Sequence, residues 1–203
     1  MKPPACQGRR QKGKGRTFPC SLISSFVLVL ALTAGSASSA AGGAGEVWVP
    51  KEQRTPAPKL LFSDIPGARR QFSNLKGKVI VVNFWATWCA PCRAEMPEFV
   101  KAYADYRQRG VEFVGAANEP RSAKAKVREF MKEMEIPFPV WLEASEDHLT
   151  ALGVGPGLPA TVIVDAQGRV AARIAGVTDA MQLRELLDRV LSEQATPEAT
   201  KGR

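Results

Sequence analysis

The sequence predicts an α/β fold, and three stretches carry that prediction. Residues 79–85, Val-Ile-Val-Val-Asn-Phe-Trp, form an almost unbroken apolar, β-branched run. Such a run suits a strand covered on both faces in the middle of an α/β sheet. Residues 93–109 follow as a helix, with Met96, Phe99, Val100, Tyr103 and Tyr106 spaced to bury one face. Residues 160–174 read as a β-hairpin leading into a closing helix, whose Met181, Leu183, Leu186, Leu187, Val190 and Leu191 share a buried side.

The remaining elements follow in chain order. Residues 46–58 carry Pro50, Pro56 and Pro58 and read as an irregular leader. Residues 59–192 are one domain's worth of chain, without an internal repeat. Residues 59–62 and 70–72 can pair as a short hairpin around Ile65-Pro66-Gly67. Pro97 lies inside the helix and is expected to kink it, while Gly110 supplies a stop. A second strand is expected at 111–116. Ser122 then caps a helix that shares Val127, Phe130, Met131 and Met134 on one face. Residues 138–142 suggest a short strand and 147–152 a short helix. Ala166-Gln167-Gly168 is the turn of the closing hairpin. Thr178 or Asp179 starts the last helix, and residues 193–203 form a flexible tail.

The amino terminus reads as a targeting segment, residues 1–45. Lys2, Arg9, Arg10, Lys12, Lys14 and Arg16 precede an apolar run from Leu22 to Leu32 and a small-residue tract at 34–41. That run is shorter than the ~20 residues of a comfortable membrane span. A cleaved signal is therefore favoured over a signal anchor through residues 20–35. Ser36 stands where a lipoprotein box needs cysteine, and Gln11-Lys12-Gly13 does not continue Arg9-Arg10 as a twin-arginine signal would. Export places the chain outside the cytoplasm, periplasmic or secreted, touching the membrane only if the segment stays attached.

Export also changes the meaning of the charge. The formal net charge is +8, but six of the 28 Lys and Arg and none of the 20 acids precede Glu46. The balance left is about +2, which gives no reason to invoke nucleic acid. Of the four cysteines, Cys6 and Cys20 lie in the leader, so only Cys89 and Cys92 remain. One closely spaced pair in an oxidising compartment is better explained as a working redox couple than as a structural framework.

Trp88-Cys89-Ala90-Pro91-Cys92 sits where the central strand hands over to the helix. Two thiols at this spacing can close and reopen a small disulfide, and the helix amino terminus favours the thiolate of the first. Zinc would need about four ligands, yet the sole histidine, His148, is far away and reads as a surface or helix-start residue. A haem attachment signal needs histidine directly after the second cysteine, where this chain has Arg93. Neither a metal nor a cofactor is expected. Cys89 is the candidate exposed nucleophile and N-cap, Cys92 the shielded resolving thiol. Pro91 fits the first helical turn. Glu95, three residues beyond Cys92, is either a solvated first-turn acid or a partly buried carboxylate that exchanges a proton with the cysteines.

This order of elements, with Leu158-Pro159-Ala160-Thr161 before the hairpin, resembles the thioredoxin superfamily. Residues 83–97, Asn-Phe-Trp-Ala-Thr-Trp-Cys-Ala-Pro-Cys-Arg-Ala-Glu-Met-Pro, resemble more narrowly the TlpA/ResA-like extracytoplasmic thiol-disulfide oxidoreductases. The likeness covers about residues 60–191. It implies a thioredoxin-like fold: a central mixed β-sheet flanked by helices, with an N-terminal β-hairpin and an inserted helix-strand unit at 122–142. It favours the proton-exchanging reading of Glu95. Thioredoxin itself keeps a buried aspartate where this chain has Asn83, so carboxylate assistance must come from elsewhere. The resemblance also implies a cis peptide before Pro159, setting the Leu158 backbone beside Cys89 to pair with an extended client. Trp88 is expected in an apolar collar on which clients land.

The function implied is a protein-disulfide reductase. Ala90-Pro91 resembles the reducing members, and relatives act in cytochrome c or oxidase assembly. Partners would be disulfide-containing client proteins and a membrane thiol reductant donor. A disulfide-introducing oxidant differs from this only in redox potential. A copper-delivery protein on the same fold has three residues between its cysteines and a distal histidine ligand; this chain has two between and no suitable histidine. A thiol peroxidase has a Thr-x-x-Cys setting, and Thr87 is one residue too close to Cys89.

Overall fold

The computed structural model describes residues 45–75 and 77–195. Among these residues the eight strands are β1 Glu46–Trp48, β2 Phe62–Asp64, β3 Arg69–Arg70, β4 Val79–Trp85, β5 Val111–Ala117, β6 Val140–Leu142, β7 Ala160–Val164 and β8 Val170–Ala175. The helices are α1 Ala90–Tyr106, α2 Lys124–Glu133, α3 Glu146–Ala151 and α4 Ala180–Ala195. The strands form one mixed sheet in the order β1-β8-β7-β4-β5-β6-β2-β3. β4 runs parallel to β5 and antiparallel to β7, and β5 runs parallel to β6.

Period-two alternation along β4 builds two cores. Val79, Val81 and Trp85 face one way and join Met96, Phe99, Leu183 and Leu187. Ile80, Val82 and Phe84 face the other way and join Phe62, Trp141, Leu149 and Leu152. Every residue of β4 is buried, as a strand covered on both faces requires. Asn83 occupies an odd position, so its amide is delivered to the α1 side. Gly115 of β5 admits Trp85: a Cβ there would lie 2.7 Å from the indole Nε1.

Helix α1 continues across Pro97 to Tyr106, and Gly110 (φ 83°) turns the chain out of the following 3-10 turn. Its buried residues are Cys92, Glu95, Met96, Phe99, Ala102 and Tyr106, with Val100 and Tyr103 only partly covered. The closing hairpin and α4 lie where the hydrophobic pattern put them. Met181 does not join the buried side of α4 and is 77% exposed. It falls in the first turn, before the stripe begun by Leu183 settles onto the sheet.

Four expectations are corrected. The leader is not irregular throughout. Glu46–Trp48 adds an edge strand antiparallel to β8, and Pro56 bridges Arg169. Its prolines mislead because all three follow β1, and Pro56 meets the sheet only at an edge bridge, where an N–H need not be donated. Arg54 from this segment is buried, 3.4 Å from Asp165 and 2.5 Å from Glu193. That last contact lies in α4, which runs to Ala195, so the expected tail starts inside a helix.

The N-terminal hairpin forms, but as β2 and β3, with Phe72 in a 3-10 turn. Ser122 does not cap a helix: it lies within the 3-10 turn Arg121–Ala123 that precedes α2, and no side chain caps α2. His148 is a helix-start residue, the second of its two expected placements: it lies in the first turn of α3 and its amide donates to Ser145 Oγ at 3.4 Å. Its ring packs 4.6 Å from Phe62, burial lowers its pKa, and its Nδ1 has no partner. The expected targeting segment up to residue 44 and tail residues 196–203 lie outside the described residues. Among the described residues no helix is long and apolar enough to cross a membrane.

Candidate active site

The chain leaves β4 at Trp85, turns through Ala86-Thr87-Trp88, and enters α1 at Cys89. The Cys89 amide donates to Ala86 O at 3.1 Å, closing that turn. Cys89 is extended (φ −86°, ψ 102°) and caps α1, its Sγ accepting the Cys92 amide at 3.3 Å. The two cysteines are joined in a disulfide. Pro91 sits in the first helical turn, where its missing N–H leaves no helical bond unmade.

Cys89 is less open than expected. Only 6% of it is exposed, and Cys92 is fully buried. In the disulfide form both sulfurs belong to the core that holds Trp85, Met96 and Phe99. Trp88 projects beside them, 66% exposed. A large aromatic face left in water next to a reactive pair is suited to meeting a partner's apolar surface.

Glu95 lies one turn beyond Cys92 and is 3% exposed, so the solvated-acid reading is excluded. Its Oε1 accepts from Asn83 Nδ2 at 2.7 Å and its Oε2 from the Thr178 amide at 2.8 Å. Burial pushes its pKa up from 4.5 to about 7, and these two hydrogen bonds hold it from rising further. Around it lie Thr161, 3.5 Å from Asn83 Nδ2, and Thr178 Oγ1, 3.0 Å from Thr161 Oγ1. Asp179, not Thr178, caps α4 by accepting the Gln182 amide at 2.8 Å. Thr178 is therefore free to serve Glu95.

The Leu158–Pro159 peptide is cis. Pro159 is buried and Leu158 half-buried, packing against both cores. Pro159 O accepts the Gly176 amide at 3.0 Å. Two residues later Thr178 reaches Glu95, so the β8–α4 connection ties the Pro159 loop to α1.

One residue escaped the sequence reading. Glu119, just past β5, is buried, and its Oε1 accepts both the Thr87 amide at 3.1 Å and the Thr87 hydroxyl. Its neighbour Asn118 donates to Trp85 O at 2.8 Å. The turn that delivers Cys89 is thus pinned from across the sheet. The only signal was an acid just beyond a buried strand, which many surface loops share. Glu119→Ala is expected to cost about 1 kcal/mol or more by leaving the half-buried Thr87 amide unpaired. Glu119→Gln, which keeps the acceptor, should cost less in urea unfolding.

Among the described residues no group of three or more His, Cys, Asp or Glu side chains is placed to hold a metal ion. The arrangement offers a two-thiol couple, a buried carboxylate able to carry a proton near neutral pH, and an exposed indole beside the couple.

Comparison with known proteins agrees with this chemistry. Residues 54–173 match the AhpC/TSA family. A thiol-disulfide oxidoreductase ResA of Bacillus cereus is 33% identical over 134 residues, spanning 66% of this chain and 76% of that protein. The ResA of Bacillus subtilis is 39% identical over 126 residues, or 62% of this chain and 69% of its own length. A thiol:disulfide interchange protein of the thioredoxin family from Chlorobium tepidum superposes with a TM-score of 0.58 and 32% identity. It spans 68% of this chain and 97% of its own. With the disulfide at the head of α1 and the thioredoxin-like sheet behind it, these likenesses make the chain a member of the AhpC/TSA family, among its ResA-like thiol-disulfide oxidoreductases.

Proposed function

We propose that the protein reduces disulfides of client proteins outside the cytoplasm, in the manner of cytochrome c or oxidase assembly. The observation that carries this reading is Glu95: a buried carboxylate one turn from the resolving sulfur, with a pKa near neutrality.

In the reduced enzyme the Cys89 thiolate, stabilised by the Cys92 amide and the α1 amino terminus, attacks one client sulfur. The client S–S bond breaks, a Cys89–client bond forms, and the departing client thiolate takes a proton. The Cys92 thiol then passes its proton to the Glu95 carboxylate and attacks the Cys89 sulfur. This frees the second client thiolate and restores the Cys89–Cys92 disulfide. Glu95 returns its proton to the leaving thiolate. A membrane thiol donor then reduces the disulfide for the next cycle. Trp88 and Leu158 receive the client, with the Leu158 backbone before the cis Pro159 offering its polar groups to an extended segment. Ala90-Pro91 between the cysteines supports the reducing direction, and the ResA relatives support thiol-disulfide exchange. The signal-like first 45 residues support the location.

Trapping tests the reading. Cys92→Ser, expressed with its own amino terminus, should accumulate mixed disulfides on Cys89 with apocytochrome or oxidase-subunit cysteines. A broad set of unrelated exported proteins on Cys89 instead would make the protein a general oxidant. No adducts, together with tight copper binding by the reduced wild type, would make it a copper carrier.

A further inference from the structure

The polar pocket behind the cysteines holds one unmatched atom. Asn83 Oδ1 is buried with no hydrogen-bond partner, although Nδ2 of the same amide donates to Glu95 at 2.7 Å. A buried acceptor left unsatisfied is costly and calls for an explanation.

The explanation lies in the hydrogen-bond inventory of Glu95. Both of its oxygens accept, one from Asn83 Nδ2 and one from the Thr178 amide. That set suits a carboxylate. A protonated carboxyl is also a donor and needs an acceptor. A backbone N–H can only donate, so Thr178 N cannot receive the new proton. Asn83 can, provided its amide turns by about 180° and sets Oδ1 where Nδ2 stood.

We propose that Asn83 is a proton-linked rotor that positions Glu95 in both of its states. It presents NH2 to the carboxylate and C=O to the acid, so the proton resides on Oε1. The Thr161 and Thr178 hydroxyls, 3.0 Å apart, can reorient with it because each is both donor and acceptor. A carboxylate at this position could not serve both states without itself taking up a proton, and leucine of similar size could serve neither. The groups facing Glu95 from β4, β7 and the β8–α4 connection are the neutral Asn83, Thr161 and Thr178. On its own helix Cys92 stands one turn before it and does not titrate in the disulfide, while Arg93 pairs with Glu133 and Glu98 with Lys101.

The inference rests on Glu95 as the proton carrier of the proposed cycle, but its test does not involve a client. The oxidised protein, labelled at Asn side-chain nitrogen and Glu side-chain carbon, is titrated by NMR. Contacts from the Asn83 NH2 protons to the Glu95 side chain should be present above the Glu95 midpoint of about 7 and lost below it. Glu95→Gln locks the other orientation: its carbonyl must accept the Thr178 amide, so its NH2 faces Asn83. That variant should show the low-pH wild-type pattern at every pH. Contacts that persist on both sides of the wild-type titration overturn the rotor, whether or not the chemical shifts move. So does a Glu95→Gln spectrum matching the high-pH form. The wild-type titration decides alone should the variant misfold, and either failure leaves client trapping on Cys89 untouched.

Discussion

Replacing Glu95 with glutamine should make the oxidised protein more stable at high pH, by up to about 3 kcal/mol relative to its effect at low pH. The cause is the buried carboxyl, whose pKa rises from 4.5 in the unfolded chain to about 7 in the fold. The folded state therefore holds the proton more tightly than the unfolded state. Stability from this group is fully present below 4.5 and is lost as pH rises through about 7. Glutamine keeps the shape, can still accept the Thr178 amide and never ionises. Its advantage should grow between about pH 4 and about pH 9 and then level off. Urea unfolding of both proteins in the disulfide form checks this, since neither cysteine titrates there. A difference that does not change with pH would mean that Glu95 is already ionised at little expense. The proton-carrying role would then fall. The same variant should also lose the acceleration of the resolving step, because a glutamine cannot take the Cys92 proton.

The two cysteines should fail in different ways. Cys89→Ser should bring turnover of a model disulfide to the uncatalysed background, because a hydroxyl does not attack disulfide sulfur near neutral pH. Cys92→Ser should also stop turnover but keep one stoichiometric attack per enzyme, with the client left on Cys89. The asymmetry follows from position. Cys89 Sγ caps the helix and receives the Cys92 amide, whereas Cys92 is fully covered by the core. Single-turnover release of one client thiol, followed with a thiol reagent, separates the two variants. Equal attack by either remaining cysteine would contradict the assignment of roles.

How far the sequence revealed this arrangement depended on whether a feature was local. The β4 run, the α1 stripe and the β7–β8 hairpin each declare their partner surface through their own periodicity, so they were legible. The cysteine pair was legible for the same reason, since the cap, the first-turn proline and the second thiol fall within four consecutive positions. Glu95 could be placed on the right helix face. Its depth could not, because that depth is set by Thr178, 83 positions away. Glu119 was invisible because its partner Thr87 is 32 positions distant and the contact is made only once β4 and β5 lie side by side. The proline-rich leader failed differently. β1 is only three residues long, Glu46-Val47-Trp48, too short to show a period of its own, and it forms against the edge of β8.

The central claim is that this couple gives electrons to its clients, and its equilibrium redox potential tests that most directly. Equilibration of the Cys89–Cys92 pair against defined thiol-disulfide buffers should give a midpoint close to thioredoxin's roughly −270 mV. A midpoint near the roughly −120 mV of the strong periplasmic oxidants would contradict the account and make the protein a donor of disulfides.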